Sequence, residues 1–345
     1  MPTRNSVCRV LIAFTAMLCV HIGLAHADDP QALKDRLRAA EKETSLNAED
    51  VKPFYLKLSA QLFDAKGKPS EQGTVEVYWK DSDRQKRVYT FPSYTATEVH
   101  VGNKLFRTAD AKSPPEMAMV LAEQMLHPMP KVDQIDTSQP QIQKVTLGKA
   151  PLDCIMLARS IGSSAPIPMG LFPTYCFDAG SSVLRVTSNY GGEVMLRNLT
   201  STFQQRRIAM DVVISEKQIE AAEGKLEKLE QRDALDAEFA TDGLLPAVSP
   251  TKVAAGVIAA FALSKVDPIY PAIARAEHVQ GTVTLHAIIA KDGHIQDLKV
   301  MSSPDPNLSI AAIDAVRRWR YKPYTLLGDP VEVDTTINVN FAFGR

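Results

Sequence analysis

From Phe54 onward the chain returns repeatedly to a period of two, and that repeat limits its possible folds more than any other feature. Phe54, Leu56, Leu58, Ala60 and Leu62 are apolar, with Tyr55, Lys57, Ser59 and Gln61 between them. Such alternation marks a strand with one buried face. Similar runs lie at 73–79, 87–91, 98–106, 143–147, 152–158, 173–177, 183–187, 193–199 and 203–214, separated by Gly, Asp and Ser. Short strands at near-regular spacing predict a mainly antiparallel sheet. A sheet of so many strands has to curl. The segment opening at Pro114-Pro115, with Met117, Val120, Leu121 and Met125 at helical spacing, predicts a helix on its concave side.

Ahead of this region stand Arg4 and Arg9, an apolar stretch over 10–24, and Ala25-His26-Ala27 followed by Asp28 and Asp29. That order predicts a signal peptide over residues 1–27 and a mature periplasmic chain from Asp28. The alternative, an uncleaved inner-membrane anchor through residues 10–27, has fewer than the roughly 20 apolar residues that a spanning helix needs. Asp29-Pro30 then predicts a capped helix through Leu33 and Leu37. Only Cys154 and Cys176 remain after cleavage. An even pair in an exported chain predicts a disulfide, with two buried free thiols as the alternative.

Several function classes are excluded. A net charge of −1 gives no basic surface for nucleic acid. His100, His127, His278, His286 and His294 do not fall at metal-ligand spacing, and Gly162-Ser163-Ser164 is not a nucleophile elbow. Gly191-Gly192 reads as a turn and not as a phosphate loop. The expectation is therefore no catalytic residue, no metal, no cofactor and no evident small-molecule substrate: not an enzyme.

A charged stretch from Ser215 to about Phe239, with opposite charges four apart, predicts a solvated helix, and 241–252, with Pro246 and Pro250, a linker. This gives four parts: a signal peptide (1–27), a β-rich N-terminal domain (28–214), a charged helix and linker (215–252) and a C-terminal domain (253–345). The apolar run 253–263 is too short to span a bilayer and reads as a buried strand or a packed lead-in.

The C-terminal part lays out as helix, strand, turn, strand, helix, strand. Tyr270-Pro271 opens a short helix, and 282–289 alternates as a strand. Asp292-Gly293 supplies a hairpin turn before a second strand over 295–301. Asp305-Pro306 caps a helix whose stripe of Leu308, Ala312, Ala315, Val316 and Trp319 must face a sheet. Val331, Val333, Thr335, Ile337, Val339 and Phe341 alternate along a long last strand.

Over residues 262–343 the sequence resembles the TonB C-terminal family. The likeness is carried by Tyr270-Pro271, Gly281-Thr282-Val283, Asp292-Gly293, Ala311-Ala312, Ala315-Val316, Trp319-Arg320-Tyr321 with Pro323, Gly328, Pro330-Val331 and Phe341. It implies an α+β domain of two helices on a three-stranded antiparallel sheet, beside the curled N-terminal sheet with its helices. It also implies capture of a short peptide, the TonB box, of an outer-membrane TonB-dependent transporter, in a system driven by ExbB and ExbD. The chain differs from that pattern in having no long proline- and lysine-rich spacer and a leader that reads as cleaved. Residues 55–107 resemble, in pattern, the start of the LolA-type half-barrel, which implies a lipid or lipoprotein carrier as the alternative function; a structural envelope protein is the third class.

With three strands, two edges are open, and the last strand is long enough to extend past its neighbour. It is expected to accept the peptide as an added strand, with Thr336, Asn338 and Asn340 meeting the incoming side chains and Tyr270 and Pro271 close by; the alternative is an edge that Glu332 and Asp334 protect by their charge.

Overall fold

A computed structural model of the protein describes residues 29–108, 115–158, 171–189, 193–216, 218–247, 250–326 and 328–343. The leader 1–27, Pro114, Gly162-Ser163-Ser164 and Gly191-Gly192 lie outside them.

Helix α1 (Pro30–Thr44) begins where the sequence predicts, with the Asp29 carboxylate accepting the Gln31 N–H at 3.1 Å and Pro30 in the first turn. A meander follows: β1 (Phe54–Phe63), β2 (Pro69–Asp81), β3 (Arg84–Phe91), β4 (Tyr94–Val101) and β5 (Lys104–Arg107). The expected single strand over 98–106 is two, because Gly102 adopts a φ of +60° and turns the chain back. Helices α2 (Glu116–Leu126) and α3 (Val132–Thr137) precede β6 (Gln141–Leu147), β7 (Ala150–Met156), β8 (Thr174–Asp178), β9 (Leu184–Asn189) and β10 (Glu193–Leu196). The run 203–214 is likewise divided, between the hairpin of β11 (Thr200–Phe203) with β12 (Arg206–Ala209) and the separate β13 (Asp211–Glu216).

The charged stretch after Ser215 is not a helix. It forms β14 (Ile219–Gln231), paired antiparallel with β1 on one side and β13 on the other. Its Glu and Lys residues favour a helix locally, but two waiting neighbours satisfy both sides of its backbone, and tertiary pairing overrides propensity. The expected linker is also partly structured, since β15 (Leu245–Pro246) pairs with β5 and β16 (Thr251–Lys252) with the last strand of the chain.

The large sheet runs β15-β5-β4-β3-β2-β1-β14-β13-β10-β9-β8-β7-β6, every pair antiparallel. Helix α2 packs on its interior: Leu121, Ala122 and Met125 share one core with Leu56, Leu58, Val75, Val77, Ile214 and Ala222. Gly224 of β14 makes this approach possible, because a Cβ there would lie 2.8 Å from a methyl of Leu121. Cys154 and Cys176, directly opposite on β7 and β8, are joined by a disulfide of 2.06 Å.

The apolar run 253–263 becomes α4 (Ala255–Ala259) and the start of β17 (Ala262–Ser264). Then come α5 (Ala272–Ala276), β18 (Gly281–Ile289), β19 (Ile295–Ser302), α6 (Pro306–Val316), β20 (Arg320–Tyr321), β21 (Thr325–Leu326), β22 (Asp329–Pro330) and β23 (Val333–Phe341). The C-terminal sheet runs β16-β23-β18-β19, so the three expected strands gain a two-residue fourth. Asp305 caps α6 through its carboxylate, which accepts from Asn307 N at 2.8 Å and Leu308 N at 3.3 Å. The helix ends at Val316, so Trp319 lies just beyond it and not on it. The chain has to turn there to pair β20 with β17. Trp319 is buried, and its indole N–H donates to Val266 O at 2.9 Å. Among the described residues no helix is long and apolar enough to cross a membrane.

Candidate functional site

The β-branched residues of Val333-Asp-Thr-Thr-Ile-Asn-Val-Asn-Phe341 favour extended backbone, and their alternation decides which face each side chain takes. Val333, Thr335, Ile337, Val339 and Phe341 are buried; Asn338 and Asn340 are exposed, and Asp334 and Thr336 half so. One side of β23 is fully used, because β18 pairs with all nine of its residues, from Gly281 opposite Phe341 to Ile289 opposite Val333. The strand therefore does not extend past its neighbour, as its length had suggested. Its opening is lateral.

On the other side β16 runs parallel to β23 and covers only its start. Thr251 N donates to Glu332 O at 2.6 Å and Val253 N to Asp334 O at 2.9 Å. These two bonds fix the phase of the strand: even-numbered residues turn their N–H and C=O groups away from β18. The Thr335 hydroxyl then donates to Val253 O at 2.7 Å, and α4 carries the chain off. Beyond that point the backbone groups of Thr336, Asn338 and Asn340 face outward, and among the described residues no strand pairs with them. An unpaired row of this kind is a template for an added strand.

The side chains of these three residues stand on the open face of the sheet and not at its rim. Asn340 Oδ1 accepts from the Thr282 hydroxyl at 2.6 Å. On the same face His286 Nε2 lies 2.8 Å from Asp334 Oδ1. His294 instead contacts Asp292 in the hairpin turn, so the two histidines have separate carboxylate partners. Burial resists ionisation of Asp292, yet the His294 N–H at 3.1 Å and the His294 ring hold its carboxyl below the usual carboxylate range. Among the described residues no group of three His, Cys, Asp or Glu is arranged to hold a metal ion.

Tyr270 and Pro271 sit at the far end of the same strand. Pro271 is the N-cap of α5, and the Tyr270 hydroxyl donates to Val279 O. The Tyr270 ring packs edge-on against Phe341, with centroids 5.5 Å apart, and tilted against Phe343 at 5.2 Å, while the Arg275 guanidinium lies over it at 5.6 Å. Tyr270 thus clamps the end of β23. Next to it in the chain, Ile269 and Ile273 are 80 % and 61 % exposed, an apolar surface that packing in this domain does not use. The role of β16 was hidden in the sequence, since the two residues between Pro250 and Val253 carry no strand pattern.

Residues 266–343 match the family described as Gram-negative bacterial TonB protein C-terminal. The chain is 39 % identical over 62 residues to Protein TonB of Klebsiella pneumoniae and 35 % identical over 63 residues to Protein TonB of Escherichia coli K12. Each match covers 18 % of this chain and 26 % of the relative, so the chain spans about a quarter of the length of the proteins it resembles. Among solved structures, a LolA superfamily protein from Nitrosomonas europaea aligns over 60 % of this chain and 98 % of its own, with a TM-score of 0.42 and 9 % identity. It is the C-terminal region, residues 266–343, that is similar in sequence to the TonB C-terminal family.

Proposed function

We propose that the C-terminal region is a peptide-capture module of the cell envelope, which adds an extended segment of an outer-membrane TonB-dependent transporter to the outer side of β23. The observation that carries this reading is the row of outward-facing backbone groups at Thr336, Asn338 and Asn340 in a region that matches TonB. Backbone pairing supplies affinity with little demand on sequence, and the exposed Ile269 and Ile273 offer apolar contact at the end clamped by Tyr270. In this reading the protein binds and does not catalyse, and it works in the periplasm after cleavage of residues 1–27. Coupling to ExbB and ExbD is the extension that the family likeness implies.

The test is site-specific photocrosslinking from position 340 in the full chain, expressed in a Gram-negative envelope and followed by mass spectrometry. Adducts to the periplasmic plug segment of an outer-membrane transporter support the reading. Adducts confined to other proteins, with none to a transporter, overturn it.

A further inference from the structure

The strongest unexplained chemistry lies in the N-terminal sheet, where Arg197 follows β10 and points beneath α2. A guanidinium is charged at any physiological pH and has five N–H donors to satisfy. Arg197 is only 3 % exposed. Its Nη1 lies 3.5 Å from the Thr187 hydroxyl, and its Nη2 bonds Gln124 Oε1 and lies 3.4 Å from Gln124 O. All of these partners are neutral. Among the described residues its Nε has no partner.

Three carboxylates on the elements around it are engaged by other arginines, and Asp211 is bonded by Asn198 and Leu199. Asp178 is bound by Arg185 at 2.8 Å, Glu123 by Arg87 at 2.5 Å, and Glu43 lies 3.8 Å from Arg207. Arg197 and Arg207 line a small cavity of about 10 Å³, together with Gln124, Thr200 and Thr44. With Glu43 offsetting Arg207, the described lining of the cavity carries one uncompensated positive charge. Buried ions are paired in nearly all proteins, because removing a lone charge from water is so unfavourable. Burial lowers the Arg197 pKa to about 9, which leaves it protonated at neutral pH.

We propose that Arg197 is the centre of a binding site for one small monatomic anion, a halide, in the cavity between α2 and strands β9 and β10. The volume admits a single body of about the size of a water molecule. Water would satisfy the Nε donor but not the charge; a halide does both. Because the Gln124 side chain on α2 is bonded to the same guanidinium, the anion also fastens α2 to the sheet.

Crystals of the full chain grown in bromide in place of chloride, with anomalous data at the bromine edge, test the site directly. A bromine peak within hydrogen-bonding distance of the Arg197 guanidinium is the expected result. Water alone at that position, or bromide only on the surface, overturns the proposal. In solution, thermal unfolding followed by Trp79 fluorescence is compared in sodium chloride and sodium gluconate at equal ionic strength. Chloride should raise the midpoint by roughly 3–6 °C, the effect of a ligand at about ten times its Kd on a region of this size, and Arg197→Gln should abolish the difference. Equal midpoints in the two salts for the parent protein count against the site even where the variant does not fold.

Discussion

The two sheets treat the sides of their strands differently. In the thirteen-stranded sheet each inner strand has a neighbour on both sides, and α2 fills the interior. One end of that sheet is the two-residue β15; the other is β6, whose exposed middle carries Lys144, a charge of the kind that discourages further pairing. In the four-stranded sheet, β23 is paired along one side and over only two residues of the other, and its open stretch leads toward exposed apolar side chains. The larger region directs its bonding capacity inward. The smaller one leaves part of it unpaired among the described residues, and that is the edge the proposed peptide capture would use.

The division is open to test because each region has one of the two tryptophans, Trp79 in the first core and Trp319 in the second, and the two clusters share no residue. The largest expected effect is that of Trp319→Ala, which should cost about 3–5 kcal/mol and unfold the C-terminal region. The Trp79 fluorescence transition should stay where it was; if it falls in parallel, the regions fold as one unit and the comparison fails. Next comes replacement of both Cys154 and Cys176 by alanine. Losing a link across 22 residues should lower the stability of the large sheet by about 3 kcal/mol. Only the Trp79 transition should move, as read by thermal or urea unfolding.

The smallest effect concerns the open edge. Asn338→Pro removes an N–H that faces away from β18, at a position where proline is tolerated in an edge strand. Both tryptophan transitions should therefore be almost unchanged, while affinity for a crosslink-identified transporter peptide should drop about tenfold, the worth of roughly one hydrogen bond, in a fluorescence titration. Loss of folding without a specific loss of binding would mean that this donor is used within the domain.

Much of this was legible in residue patterns. The alternation from Phe54 to Leu62 became β1 with buried and half-buried residues in turn from Leu56 onward, Tyr55 being buried as well, and the Asp29-Pro30 and Asp305-Pro306 caps both start helices. The TonB likeness drawn from Tyr270 to Phe341 agrees with the matched span 266–343. What failed did so where distant residues decide. The stretch Glu220 to Gln231 has the composition of a surface helix, and its one contrary signal is Gly224, which is unfavourable inside a helix and essential beneath Leu121. In the same way, nothing near Thr251 foretells that it will reach Glu332, so the part of the β23 edge left open could not be read from the strand itself. Gly293 was assigned to the hairpin turn. Its φ of +87° agrees, but a Cβ there would also lie 1.8 Å from Tyr321 O, a constraint that only the packed fold reveals.

The pairing of β1 with β14 also sets the order in which the large sheet can form. Phe54 lies opposite Gln231 and Leu62 opposite Ala222, so the central seam joins segments separated by almost the whole N-terminal region. A chain emerging from its N-terminus can build the local hairpins β1 to β5 at once, but β1 has no inner neighbour until residue 231 is available. Contacts so far apart in sequence form slowly, because the intervening chain has to be ordered before they repay it. Until then the inner edge of β1 stays unpaired, so the two halves of the large sheet join only once β14 has been made.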